Sequence, residues 1–183
     1  MLVFIVIFCV LVALGFGLAA AWSDFNGFTI SNLYSVAIVV AFVPAFLILH
    51  WMAPEVAYFA SWKSHLLAAF LVFGVSFLLF FTNVLGAGDS KLASVYALWV
   101  GMGGLLSFLF FMTLFGGVLG LVTIMVQKTK PFKAPPEGSW LARAQEGVSA
   151  VPYGIAIIFG AVVAFYQVGY FDLAALAALA KGQ

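Results

Sequence analysis

From Leu2 to Trp22 no residue carries a charge, and apolar runs of comparable length recur along most of the chain. A helical segment of about 20 apolar residues matches the hydrocarbon thickness of a bilayer. In lipid every backbone N–H and C=O must be bonded within the protein, which leaves helices or a closed barrel. Barrel strands alternate apolar and polar residues, and these runs do not alternate. With 66% of residues apolar and 7% charged, the chain is expected to be an all-α polytopic membrane protein.

Six runs stand out, at residues 2–22, 33–49, 65–81, 89–102, 105–126 and 148–169. The interval from Leu92 to Val126 is too long for one crossing, and Gly101, Gly103 and Gly104 mark a tight hairpin within it. The pattern predicts six transmembrane helices in a single integral-membrane domain, 1–183. With the amino terminus outside, Lys91, Lys128, Lys130, Lys133 and Arg143 share one side, against Lys63 and Lys181 on the other. The richer side is cytoplasmic by the positive-inside rule. "GLAAAWS" offers the small residues of a signal-peptidase site, but no positive segment precedes it and the apolar run is too long, so a retained span is expected. Trp51, Tyr58 and Trp62 read as an outer aromatic belt. Between Gln127 and Gly147, Pro131, Pro135 and Pro136 oppose a helix in the first half. The following "SWLARAQEG" fits an amphipathic turn on the membrane surface. The segment reads foremost as a solvated connector.

A net charge of +1 leaves no basic surface for nucleic acid, and two His and one Cys make neither a zinc site nor a disulfide. No metal or other cofactor is expected. Cys9, mid-run, reads as a small hydrophobe. Among the carboxylates, Glu55, Glu137, Glu146 and Asp172 fall in loops or at a span end, while Asp24 and Asp89 fall at the cytoplasmic ends of the first and fourth runs. Asp24, in "AAWSDFNGFTISNLYS", reads by itself as a helix cap or interfacial anchor, and Asn32 as an N-cap. Before Asp89, Gly86 and Gly88 remove Cβ atoms and admit a second backbone, such as a substrate strand, or a closely packed helix. A charge at membrane depth costs on the order of 2.5–3.5 kcal/mol, which makes such a carboxylate a functional candidate. Two brought together share a proton. The ionised member then activates water against a peptide carbonyl, while the protonated one polarises that carbonyl and assists the leaving amine. A small proton-coupled transporter or channel component is the alternative, although its ionisable groups belong near the bilayer midplane.

"GAGDSK" resembles the GxGDxK signature of the type IV prepilin peptidases, membrane aspartyl proteases of the GxGD class. The series Asp24, Ile30, Asn32 and the late "VPYGIAIIFG", Val151 to Gly160, are similar to further elements of that family in the same order. The resemblance implies Asp24 and Asp89 as the catalytic pair, with Gly86, Gly88, Lys91, Asn32, Pro152, Tyr153 and Gly154 as motif residues around them. It implies removal of the short leader of prepilins, with pseudopilins as a further class, at the cytoplasmic face of the bacterial inner membrane. Lys91 reads as a positive-inside anchor, with tuning of an aspartate as the other role; Tyr153 is a candidate hydrogen-bond donor. Ser31 stands where the family often has proline. Larger members also carry an amino-terminal region with paired CxxC motifs and methylate the new terminus, and nothing here corresponds to it. The chain is therefore similar to the short branch serving Flp-type pili of tight-adherence systems, a peptidase without methyltransferase activity. Presenilins and signal-peptide peptidases share GxGD, but they resemble longer chains with tyrosine where Ser23 precedes Asp24.

Overall fold

The computed structural model describes residues 2–52, 61–82, 85–172 and residue 176. Among them every regular element is a helix: α1 (Leu2–Gly27), α2 (Asn32–Met52), α3 (Trp62–Phe81), α4 (Ala87–Thr129), α5 (Trp140–Gln145) and α6 (Tyr153–Val168). The first four are long and apolar enough to cross a membrane.

The 26 residues of α1 rise about 39 Å, against about 30 Å of hydrocarbon. The helix therefore outlasts the apolar run 2–22 and carries "SDFN" one turn further, ending as Phe28 turns left-handed at φ 53°. Hydropathy marks where lipid ends, whereas the hydrogen-bond ladder continues beyond it. At the other end of the chain, α6 starts at Tyr153 instead of 148, because Pro152 disfavours a helical Val151 and itself takes the N-cap position. Asn32 is not the cap of α2. Ser31 Oγ accepts the Leu33 amide at 3.3 Å, and the Asn32 side chain is engaged by Lys91.

The runs 89–102 and 105–126 merge into the 43-residue α4, broken at Gly101 (φ 60°, ψ −173°). Ala93 and Met112 would stand about 28 Å apart in a straight helix, yet both border one cavity with Tyr153 and Ile157. The two halves of α4 therefore lie side by side, reversing at the glycine. Around this hairpin, α3 and α6 pack on α4, and α1 packs on α2 and α6.

Small residues permit those crossings: a Cβ on Gly160 would sit 2.8 Å from Phe108 O and Met112 N of α4. Polar side chains then close on carbonyls of neighbouring elements. Tyr96 donates to Ala13 O at 2.7 Å, Trp99 Nε1 to Ile38 O at 3.0 Å, and Tyr170 to Trp99 O at 2.9 Å. In membranes such bonds contribute about 0.6 kcal/mol each. Phe4, Phe70, Leu106 and Leu121 point outward and are largely exposed, as lipid-facing side chains should be. Trp51 and Trp62 of the expected belt are exposed too, whereas Tyr58, Glu55 and Lys181 lie outside the described residues.

The connector before α6 departs from expectation. Its proline-containing half is irregular, and "SWLARAQEG" forms the short α5, docked on the protein instead of standing as a solvated connector. Ser139 Oγ caps α5 by accepting the Ala142 amide at 3.3 Å, and Trp140, 6% exposed, turns into the protein. Its indole N–H donates to Thr123 Oγ1 at 3.0 Å and its ring meets the edge of Phe25. An indole needs both an apolar wall and an acceptor. Here α4 and α1 supply them, so the segment joins a second small core with Leu119, Val126 and Ala156.

Candidate active site

Asp24 lies in the last turn of α1, the negative end of the helix dipole, where a carboxylate is disfavoured by about 0.3–1 kcal/mol. It does not serve α1 as a cap. Only 4% exposed, it accepts the backbone N–H of Gly154 on Oδ2 at 2.8 Å. Gly154 is the second residue of α6, and the first amides of a helix have no partner within it. Asp24 thus occupies the anion-binding end of α6. A Cβ on Gly154 would lie 3.1 Å from both Cβ and Oδ2 of Asp24, so the close approach depends on glycine. Pro152, buried just before, sets where those amides begin.

Asp89 is the third residue of α4. Its Oδ2 accepts the Gly86 amide at 3.1 Å, again at the positive end of a helix dipole. The volume that a side chain on Gly86 would fill is taken by this carboxylate, 2.7 Å from the Cβ position. Oδ1 is buried and has no hydrogen-bond partner among the described residues. Gly88 fits the close-packing reading. A Cβ there would meet Ile30 Cβ at 2.8 Å, so its small size admits the turn after α1 in place of a substrate strand.

Two helix N-termini, distant in sequence, thereby present carboxylates to one space. Asp24 and Asp89 both border a cavity of about 500 Å³, with Phe28, Gly86, Ser149 and Tyr153 among the other lining residues. Phe28 holds its left-handed backbone under the Arg143 guanidinium, 5.2 Å from the ring centre. Ser149 Oγ accepts a hydrogen bond from Gln127 Nε2 at 3.2 Å. The Tyr153 ring lies against Gly116, 3.1 Å from its Cβ position. A half-open cavity bordered by two carboxyls suits acid–base hydrolysis by water.

Lys91 points elsewhere. Its Nζ donates to Asn32 Oδ1 at 2.8 Å, and the two residues border a different groove with no lining residue in common with the carboxylate cavity. Of the residues marked in the sequence, Asp24, Asp89, Gly86 and Tyr153 meet at the cavity. Gly154 and Pro152 stand behind Asp24, Gly88 supports the neighbouring turn, and Lys91 and Asn32 lie apart. Val151, the first residue of the late "VPYGIAIIFG" element, borders the cavity too, as do Phe28 and Ser149, which were not marked. For Phe28 the preceding "NG" hinted at a tight turn, whereas Ser149 carries no sequence signal beyond lying shortly before the proline.

The profile of the type IV leader peptidase family matches residues 11–121, which include both aspartates and the GAGDSK segment. No curated protein and no solved structure matches the chain.

Proposed function

The chain belongs to the type IV leader peptidase family, and on that premise we propose that Asp24 and Asp89 are the catalytic pair of an aspartyl endopeptidase. The observation that carries the reading is their shared cavity. Membership implies a peptidase with prepilin-type substrates. The finer reading is removal of the leader of Flp-type prepilins, without methylation of the new terminus, at the cytoplasmic face of a bacterial inner membrane.

In this mechanism the pair holds one proton. The ionised carboxyl takes a proton from water as it attacks the scissile carbonyl, the protonated one donates toward the developing oxyanion, and the leaving amine is then protonated from the pair. No covalent intermediate forms. The amides of Gly154 and Gly86 fix one oxygen of each carboxyl, leaving the other oxygen for substrate and water. Orientation before reaction supplies a large part of the rate of such a site.

A prepilin carries its scissile bond at the junction of a polar leader and an apolar helix. On this reading the length of α1 beyond the apolar run 2–22 matches Asp24 to that depth. Six crossings, with the two halves of α4 counted separately and the amino terminus outside, put both carboxyls on the cytoplasmic side. The transporter alternative has no feature in its favour. The test is co-expression with a Flp-type prepilin: the precursor shifts to the mature size on a gel with the wild-type chain and stays uncut with Asp24→Asn or Asp89→Asn at equal membrane levels. Processing that persists in both variants removes the proposal.

A further inference from the structure

A second groove, of about 510 Å³, runs between α2, α3 and the start of α4 and shares no lining residue with the carboxylate cavity. Its two ends differ in chemistry. At the end nearest the helix termini stand Asn32, Ser35 and Lys91; further along α2 and across from it the walls are Val39, Val40 and Phe73. From Asn32 to Val40 the groove extends about 12 Å along the helix. Val36 and Val40 are 56% and 64% exposed, so this wall is open on the lipid side.

The polar end is built of donors. Lys91 is the one charged side chain among the described residues that line the groove. One of its N–H groups is spent on Asn32 Oδ1 at 2.8 Å, which leaves two, together with the amide N–H groups of Asn32. Ser35 lines the groove and is 8% exposed, and its buried hydroxyl has no hydrogen-bond partner among the described residues. Buried polar groups are nearly always satisfied, so an orphaned hydroxyl on a residue that shares a groove with the Lys91 ammonium calls for an acceptor from outside the chain. A cluster of donors with a positive charge selects an anionic oxygen-rich group, to which charge-assisted bonds are strongest.

We propose that this groove binds an anionic phospholipid, its phosphate on Lys91, Asn32 and Ser35 and an acyl chain along the valines and Phe73. Free phosphate would satisfy the polar end and leave the apolar wall empty. A lipid satisfies both, and the polar end stands two residues from Asp89, near the same membrane edge. The site would seat a headgroup beside the N-terminus of α4 and brace the turn between α1 and α2.

The experiment uses the intact chain in detergent micelles, titrated with phosphatidylglycerol, phosphatidylcholine and inorganic phosphate and read by native mass spectrometry; it requires no peptidase activity, so its outcome is separate from the proposed reaction. Phosphatidylglycerol is expected to bind at least about fivefold more tightly than phosphatidylcholine, and Lys91→Gln to remove that preference, the contribution of one cation at an anionic lipid surface. Ser35→Ala should weaken phosphatidylglycerol further. Val40→Trp, which fills the exposed apolar wall without touching the core, should weaken phosphatidylglycerol and leave inorganic phosphate unchanged. Equal binding of the two lipids, or affinity for phosphatidylglycerol that ignores Val40→Trp while inorganic phosphate competes it away, overturns the proposal, the latter leaving a free-anion site only.

Discussion

The backbone amide of Gly154 donates to Asp24 Oδ2 at 2.8 Å, joining residues 130 positions apart. The bond aims the carboxyl by the start of a helix instead of by a side chain. Gly154→Ala adds a Cβ 3.1 Å from that carboxyl and 3.3 Å from Ala21 Cα, which turns Asp24 without removing it. Misplacement of about 1 Å costs about a hundredfold in rate. A kcat reduced by that order, with a little-changed melting temperature, is expected in a peptide-cleavage assay. Unchanged kcat means that this amide does not orient the reacting group.

Gly160 lies where α6 crosses α4, its Cβ position 2.8 Å from backbone atoms of Phe108 and Met112. Backbone cannot move aside as a side chain can, so Gly160→Ala should destabilise the protein by about 1–3 kcal/mol. Gly74 has nothing within 4 Å of its Cβ position, and Gly74→Ala in α3 should be neutral or stabilising by about 0.5–1 kcal/mol. Melting curves of the two variants in one detergent decide it.

Trp140→Ala separates a docked connector from a solvated one. Loss of the buried ring and of its bond to Thr123 should cost on the order of 3–5 kcal/mol. A solvated connector would give almost no change in thermal stability.

Arg143→Ala removes the cation above Phe28. Exposed contacts of this kind contribute about 0.5–1 kcal/mol, so the melting temperature should fall by no more than a few degrees, and kcat/KM should fall where Phe28 shapes the cavity. Arg143→Lys should recover part of the loss.

What the sequence made legible follows from scarcity. Carboxylates are so few and so costly near lipid that Asp24 and Asp89 stand out by position, and the glycines around Gly101 announce the reversal inside α4. Hydropathy could not show α1 continuing past Trp22, because a helix needs no lipid to keep its ladder. Gly154 was visible as a motif residue, but its contribution is an amide, which every residue but proline has. Trp140 looked interfacial because an indole suits both a membrane surface and a wet pocket; only tertiary structure shows Thr123 and Phe25 waiting for it. Gly88 was rightly read as a close approach, with Ile30 as the unforeseen neighbour.

The central claim is that Asp24 and Asp89 act as one catalytic unit. Cleavage rates of a leader-bearing pilin peptide by the purified wild type, Asp24→Asn, Asp89→Asn and the double variant test it most directly. Groups that work as a unit are grossly non-additive. Each single change should abolish cleavage to the level of the double variant, about a thousandfold or more below wild type, with all four proteins melting alike. Measurable cleavage by the double variant, or losses that add from one aspartate to the next, would contradict it.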